Sequence, residues 1–327
     1  MIWAWCAFIA FVLAIIALDL GVFNRRDHVP SMREALAFAA GTVVLALAFA
    51  TLLIPAYNQH WQGLGLRPDA IDGRINGGHA AAVKFLTGYI VELSLSMDNV
   101  FVIALIFGHL SVPPKFQHRV LFWGILGALV MRGAMIASGA ALVARYHWVS
   151  YLFGLFLVVT SIKMLLAKER ESTPEERWIV RWLNKHFHVT KDFHAQRLAV
   201  TIDGQTWITP LMVALVLVET TDLLFAVDSI PAIFAVTTDP FLVFTSNVFA
   251  IICLRSLYFG LAKLIERFRY LNISLAVILG MVGMKMLLAA RVERWLGESQ
   301  NLIMLAAVIA ILAAGATVSA VTERRSG

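Results

Sequence analysis

The sequence predicts an all-α polytopic membrane protein of about nine transmembrane helices, built around two inverted three-helix repeats. Three observations predict it. Hydrophobic residues make up 60% of the chain and charged residues only 15%, with a mean hydropathy of +0.78, where soluble domains carry about 25% charge. The apolar residues fall into nine stretches near the ~20 residues that a span needs: 2–20, 35–56, 80–107, 119–143, 149–167, 209–236, 241–262, 271–290 and 300–320. Finally, one pattern occurs twice inside such stretches, as Glu92, Leu93, a spacer, Met97, Asp98, Asn99, Val100 and as Asp222, Leu223, a spacer, Val227, Asp228, Ser229, Ile230.

In chain order, residues 1–79 hold two peripheral spans and a loop. Nothing basic precedes the first span, Arg25 and Arg26 follow it, and no small-x-small cleavage pattern closes it. It therefore reads as a retained span with its N-terminus outside. Gly63, Gly65, Pro68, Gly73, Gly77 and Gly78 make the loop after the second span irregular, with Trp61 at the interface. Residues 80–167 carry the first repeat.

The polar segment 168–208 begins with Thr173, Pro174, Glu175 and Glu176. This is a capping box with proline at the first helical position, which predicts a short helix with Trp178 and Trp182 on its apolar side. Leu198 to Ile208 alternates around Asp203 and Gly204, the pattern of a hairpin with a type I′ turn. His186, His188 and His194 lie between, but no Cys or paired carboxylate completes a usual ligand set. Residues 209–290 carry the second repeat, and 291–327 the ninth span and a tail.

The 27 Lys and Arg residues crowd the loops that alternate with an outside N-terminus, above all the stretch from Lys168 to Arg197. The positive-inside rule then puts the C-terminus in the cytoplasm. It also accounts for the net charge of +6 without nucleic acid. Cys6 and Cys253 both fall inside spans, where inert buried thiols are the default.

The duplication extends beyond the acidic pattern. The next span of each half carries an internal arginine, Arg132 and Arg255, and the third carries Lys-Met-Leu-Leu-Ala, from Lys163 and from Lys285. Matching residues in order through three spans imply a repeat. An odd number of spans makes the second copy enter the membrane from the opposite side, as in many secondary transporters.

Glu92, Asp98, Glu219, Asp222 and Asp228 are acids within spans. At roughly 2.5–3.5 kcal/mol each on insertion scales, such residues default to function, here a cation or proton pathway. The bland reading is helix glue: Glu92 or Asp98 with Arg132, Asp222 or Asp228 with Arg255, and Lys163 and Lys285 neutralising two more or snorkelling. Five acids outnumber the two guanidinium groups. Carboxylates, an Asn amide and carbonyls are hard oxygen ligands that suit Mn²⁺, Mg²⁺ or Ca²⁺. Glu219 and Asp228 lie on opposite faces of a continuous helix, and Pro231 predicts a break beside Asp228 that would let them converge. No His-Glu-x-x-His, Gly-x-Ser-x-Gly or Gly-x-Gly-Asp motif supports an enzyme.

From about residue 80 to 290 the chain resembles the TerC family of integral membrane proteins, most closely its Alx-like branch. The likeness rests on Leu86-Thr87-Gly88-Tyr89, on Asp98-Asn99-Val100-Phe101, and on Phe225 through Ala232 continuing to Ser246-Asn247. It implies a nine-span bacterial inner-membrane protein associated with Mn²⁺ export and alkaline-pH response. Carried over by position, it makes Glu92, Asp98, Asn99, Glu219, Asp222 and Asp228 the candidate cation site. Met97 departs from the aliphatic residue of that pattern, which leaves the metal preference open. The joint expectation is an exporter of Mn²⁺ working by alternating access in exchange for protons, with the metal as cargo and no resident cofactor. Its partners are the cation and the bilayer, with room for a homo-oligomer or an exported protein. Alternatives are a metal-delivery or scaffold protein for exported metalloproteins and a carrier of tellurite-type oxyanions.

Overall fold

The computed structural model describes the chain except residues 1, 19–31, 147, 167–173, 191, 195, 203, 262–270 and 327; some helical side chains, among them those of Asp98 and Arg255, also lie outside the described set. The helices are α1 Ile2–Leu18, α2 Met32–Asn58, α3 Gly78–His109, α4 Pro114–Arg145, α5 Trp148–Leu166, α6 Pro174–His186, α7 Pro210–Phe234, α8 Pro240–Leu261, α9 Leu271–Leu287, α10 Ala289–Leu296 and α11 Gln300–Ser326. Among the described residues, α2, α3, α4, α5, α7 and α11 are long and apolar enough to cross a membrane, while α1, α8 and α9 are shorter apolar helices. Each coincides with one of the nine apolar stretches, so the protein is an all-α polytopic membrane protein.

α3 packs on α8, α2 and α7; α4 packs on α7 and α8; α5 packs on α9, and α11 on α3 and α9. The rings of Phe8, Phe49, Phe85, Phe241 and Phe249 knit α1, α2, α3 and α8 together, with Phe49 centred 5.1 Å from Phe249 and 5.2 Å from Phe85. The α5–α9 contact is a backbone contact: a Cβ on Gly283 would lie 2.8 Å from the Gly154 carbonyl oxygen. Small residues allow this approach where lipid removes the hydrophobic drive between helices.

Two local expectations are corrected. α7 does not break at Pro231 but runs to Phe234. The proline stands three residues from the helix end, so it forfeits one bond to the Val227 carbonyl, and its own carbonyl still accepts from Ala235 N at 3.1 Å. In α6 the inward residues are Ile179 and Leu183, which pack with Val112, Phe116, Ile208 and Leu211. Trp178 and Trp182 are 62% and 43% exposed. Both pairs recur at helical spacing, and the aliphatic pair takes the core. The hairpin forms as the alternation predicts, β1 Ala199–Ile202 against β2 Gln205–Ile208 with Val200 opposite Trp207. Gly204 supplies the positive φ of its turn, 78°.

The ends of the bundle differ. The hairpin and α6 sit where α4 and α7 begin. At the opposite end, the segment 59–77 folds against the turn between α7 and α8.

Candidate functional site

On α3, Glu92, Ser96 and Asn99 follow one another at four and three residues, which puts them on one stripe. That stripe faces Arg132 of α4, Asp222 of α7 and Asn247 of α8. All six residues are buried, from 0% exposure at Glu92 to 8% at Asp222. Arg132 is the hub. Its Nη1 donates to Glu92 Oε1 and, at 3.0 Å, to Asn247 Oδ1; its Nη2 and Nε hold both oxygens of Asp222 at 2.9 and 3.2 Å. Asn99 Nδ2 donates to Asp222 Oδ1 at 2.6 Å, and Ser96 Oγ to Glu92 Oε1 at 3.0 Å. Four helices thus meet on one guanidinium, whose planar fork can serve two carboxylates at once.

Among the described residues, charge and hydrogen bonds do not close at this hub. Two carboxylates share one cation, and Glu92 Oε2, Asn99 Oδ1 and Asn247 Nδ2 are buried without a partner. A buried net charge is costly, and the arrangement favours a bound cation or a proton. A cavity of about 50 Å³ reaches the hub, with Asn99, Arg132 and Asp222 at its polar end and Leu121, Leu254 and Tyr258 beyond. Its lining follows Glu92 along α3 and α8's Asn247, and precedes Arg132 and Asp222 along α4 and α7. The cavity therefore runs from the hub toward the hairpin end of the bundle.

Glu92, Asn99 and Asp222 are brought together, with Asp222 held by Arg132. Glu219 precedes Asp222 by one helical step of three residues, and its carboxylate lies against Gly127 of α4, where any Cβ would overlap it. Asp228 is half-buried on α7; with α7 continuous it points about 120° away from Asp222. The side chains of Asp98 and Arg255 lie outside the described residues. Lys163 is exposed in the last turn of α5, the position of a snorkelling lysine. Lys285 sits at the other end of the bundle, its Nζ 3.5 Å from the Ala235 carbonyl oxygen. His186, His188 and His194 are exposed and engage Trp182, Trp207 and the Asp192 carbonyl separately. Among the described residues, no three His, Cys, Asp or Glu side chains are grouped to hold a metal ion.

Asn247 was not singled out from the sequence as a site residue. The signal was there: Thr245, Ser246 and Asn247 interrupt an otherwise apolar span. Asn247 matters because it gives the guanidinium a neutral acceptor from a fourth helix.

A family model described as "Integral membrane protein TerC family" matches residues 77–326. An "Uncharacterized membrane protein STKORF319" of Myxococcus xanthus is 47% identical over 282 residues, 86% of this chain and 82% of that protein. The "Putative membrane-bound redox modulator Alx" of Escherichia coli (strain K12) is 44% identical over 285 residues, 87% of this chain and 85% of that protein. An "Uncharacterized membrane protein" of Rickettsia bellii is 34% identical over 282 residues, 86% and 87% of the two chains. No solved structure matches.

Proposed function

The chain belongs to the TerC family of integral membrane proteins, and on that premise we propose that it is a secondary transporter that exports a divalent cation, Mn²⁺ first, across the bacterial inner membrane in exchange for protons. The observation that carries this reading is the buried pair of carboxylates, Glu92 and Asp222, sharing the single Arg132 guanidinium. Among the described residues of the hub, Arg132 leaves one negative charge for a mobile cation to neutralise. The unpartnered oxygens of Glu92 and Asn99 are hard donors of the kind Mn²⁺ takes. Since carboxylates must shed protons to coordinate, metal and proton would compete for the same oxygens.

The packing supports alternating access between inverted repeats. α3 lies on α8 and α4 on α7, while α5 faces α9. A pseudo-two-fold relating α3–α5 to α7–α9 exchanges the first two contacts and maps the third onto itself. The cation's ligands would come from side chains, since α3 and α7 both run unbroken past the hub.

The oxyanion reading loses ground at Arg132, whose donors are already engaged by Glu92, Asp222 and Asn247. A dithiol redox role would need Cys6 and Cys253 to pair, and both are free thiols, one exposed on α1 and one buried in α8. In proteoliposomes, purified protein should drive saturable Mn²⁺ flux that depends on a pH gradient, and Asp222→Asn should lower it at least tenfold. Saturable Mn²⁺ binding without flux in the unmodified protein would instead favour metal delivery.

A further inference from the structure

The buried charge farthest from the hub in function lies where α3 begins. Lys84 is 1% exposed. Its Nζ donates to Asp69 Oδ2 at 2.9 Å and to Asn76 Oδ1 at 2.7 Å, and stands 2.7 Å from Asp72 Oδ2. All three oxygens belong to the segment 59–77. Asp69 in turn holds the turn between α7 and α8: it accepts from Thr238 N at 3.0 Å, from Thr238 Oγ1 at 2.8 Å and from the Thr237 hydroxyl. Ala70 N donates to Thr238 Oγ1 at 2.8 Å. In the same turn, Asp239 accepts from Phe241 N at 3.0 Å and from Tyr57 Oη of α2 at 2.9 Å. Lys285 brings α9 to this place through the Ala235 carbonyl.

Lys84 and Asp69 therefore join α3, from the first half of the bundle, to the α7–α8 turn of the second, and a second ammonium, Lys285, ties α9 to the same turn. A purely structural joint gains little from ions here. Desolvation offsets much of a buried pair's attraction, well-packed apolar side chains often hold a joint as firmly, and the best-attested use of buried polar groups is to set a register or a switch. The position adds a second argument. The cavity leaves the hub toward the hairpin end, and this network closes the other end.

We propose that Lys84, Asp69 and Asp72 form a latch that shuts the end of the cation path opposite the hairpin, and that the segment 59–77 must part from the α7–α8 turn for the cation to leave. The inference rests on the transporter reading and names the gate that reading lacks. Burial alone would raise the Asp69 carboxyl, but the Lys84 ammonium and the Thr237 and Thr238 donors hold it at about 2. Asp69 thus stays an anion at any pH a cell meets, and the latch parts by movement of the two halves.

The test is a reversible lock. Ala70→Cys and Thr238→Cys, placed together in a Cys6→Ser, Cys253→Ser background, put thiols on the two residues whose amide and hydroxyl already touch. Reduced, the double variant should carry Mn²⁺ saturably, and that reduced rate is the reference for the same protein oxidised. Oxidised, it should lose flux at least tenfold, keep Mn²⁺ binding, and recover on reduction. Undiminished flux with the disulfide formed overturns the latch and leaves the transporter reading standing. No flux from the background protein, with Mn²⁺ binding retained, overturns both.

Discussion

At the scale of single residues, the hub depends on geometry that only arginine offers. Arg132 reaches two carboxylates and an amide from one planar group. Arg132→Lys should leave at least one of these acceptors stranded, at a cost of about 3–5 kcal/mol typical of a broken buried pair. Thermal unfolding of the detergent-solubilised protein would measure the loss, with Mn²⁺ binding as a second readout. Asp69 makes a pH prediction. Its folded value of about 2 lies below its ordinary 3.8, so its contribution, about 2 kcal/mol, is complete above pH 4 and fades only as pH falls toward 2. Hydrogen exchange of the segment 59–77 should be unchanged by this group between pH 7 and 5, and faster in Asp69→Asn at both. The residue-scale chemistry was half legible. Acids stand out in an apolar span because each is costly there, so Glu92 and Asp222 were visible. Lys84 was not, because its three acceptors lie 8 to 15 residues away in a loop whose Gly and Pro content predicts only irregularity.

Elements follow from periodicity wherever the solvent is uniform. The nine apolar helices were readable because lipid demands a run of about 20 apolar residues with every backbone bond internal. α6 shows where this fails: the capping box and Pro174 identified a helix, but the expected inward pair was Trp178 and Trp182, where Ile179 and Leu183 take the core. α7 failed differently, since a proline near a helix end costs one bond rather than the helix. Pro231→Ala should therefore leave helicity and flux within about twofold of the unmodified protein, by circular dichroism and the proteoliposome assay. A tenfold loss of flux would show that α7 opens at Pro231 in another state of the cycle. The α5–α9 contact makes the opposite prediction. Gly283→Leu would drive a side chain into the Gly154 carbonyl and Leu157, destabilising by about 1–3 kcal/mol as overpacking does.

For the whole molecule, the expected orientation puts the hairpin in the cytoplasm and the segment 59–77 outside. An impermeant maleimide should then label Gln205→Cys only in inside-out vesicles and Arg67→Cys only in right-side-out ones, both positions being exposed; the reverse pattern would overturn the expected orientation and put the latched end on the cytoplasmic side. The sharing of Arg132 has a last consequence. Asp222 comes from the second half of the chain and finds its counter-charge in the first, and the contacts of α3 with α8 and of α4 with α7 cross between halves in the same way. Neither half is a folding unit in its own right. Cut within the polar segment before α7, the two fragments should be degraded when made separately and survive when made together, as obligate complements of one another.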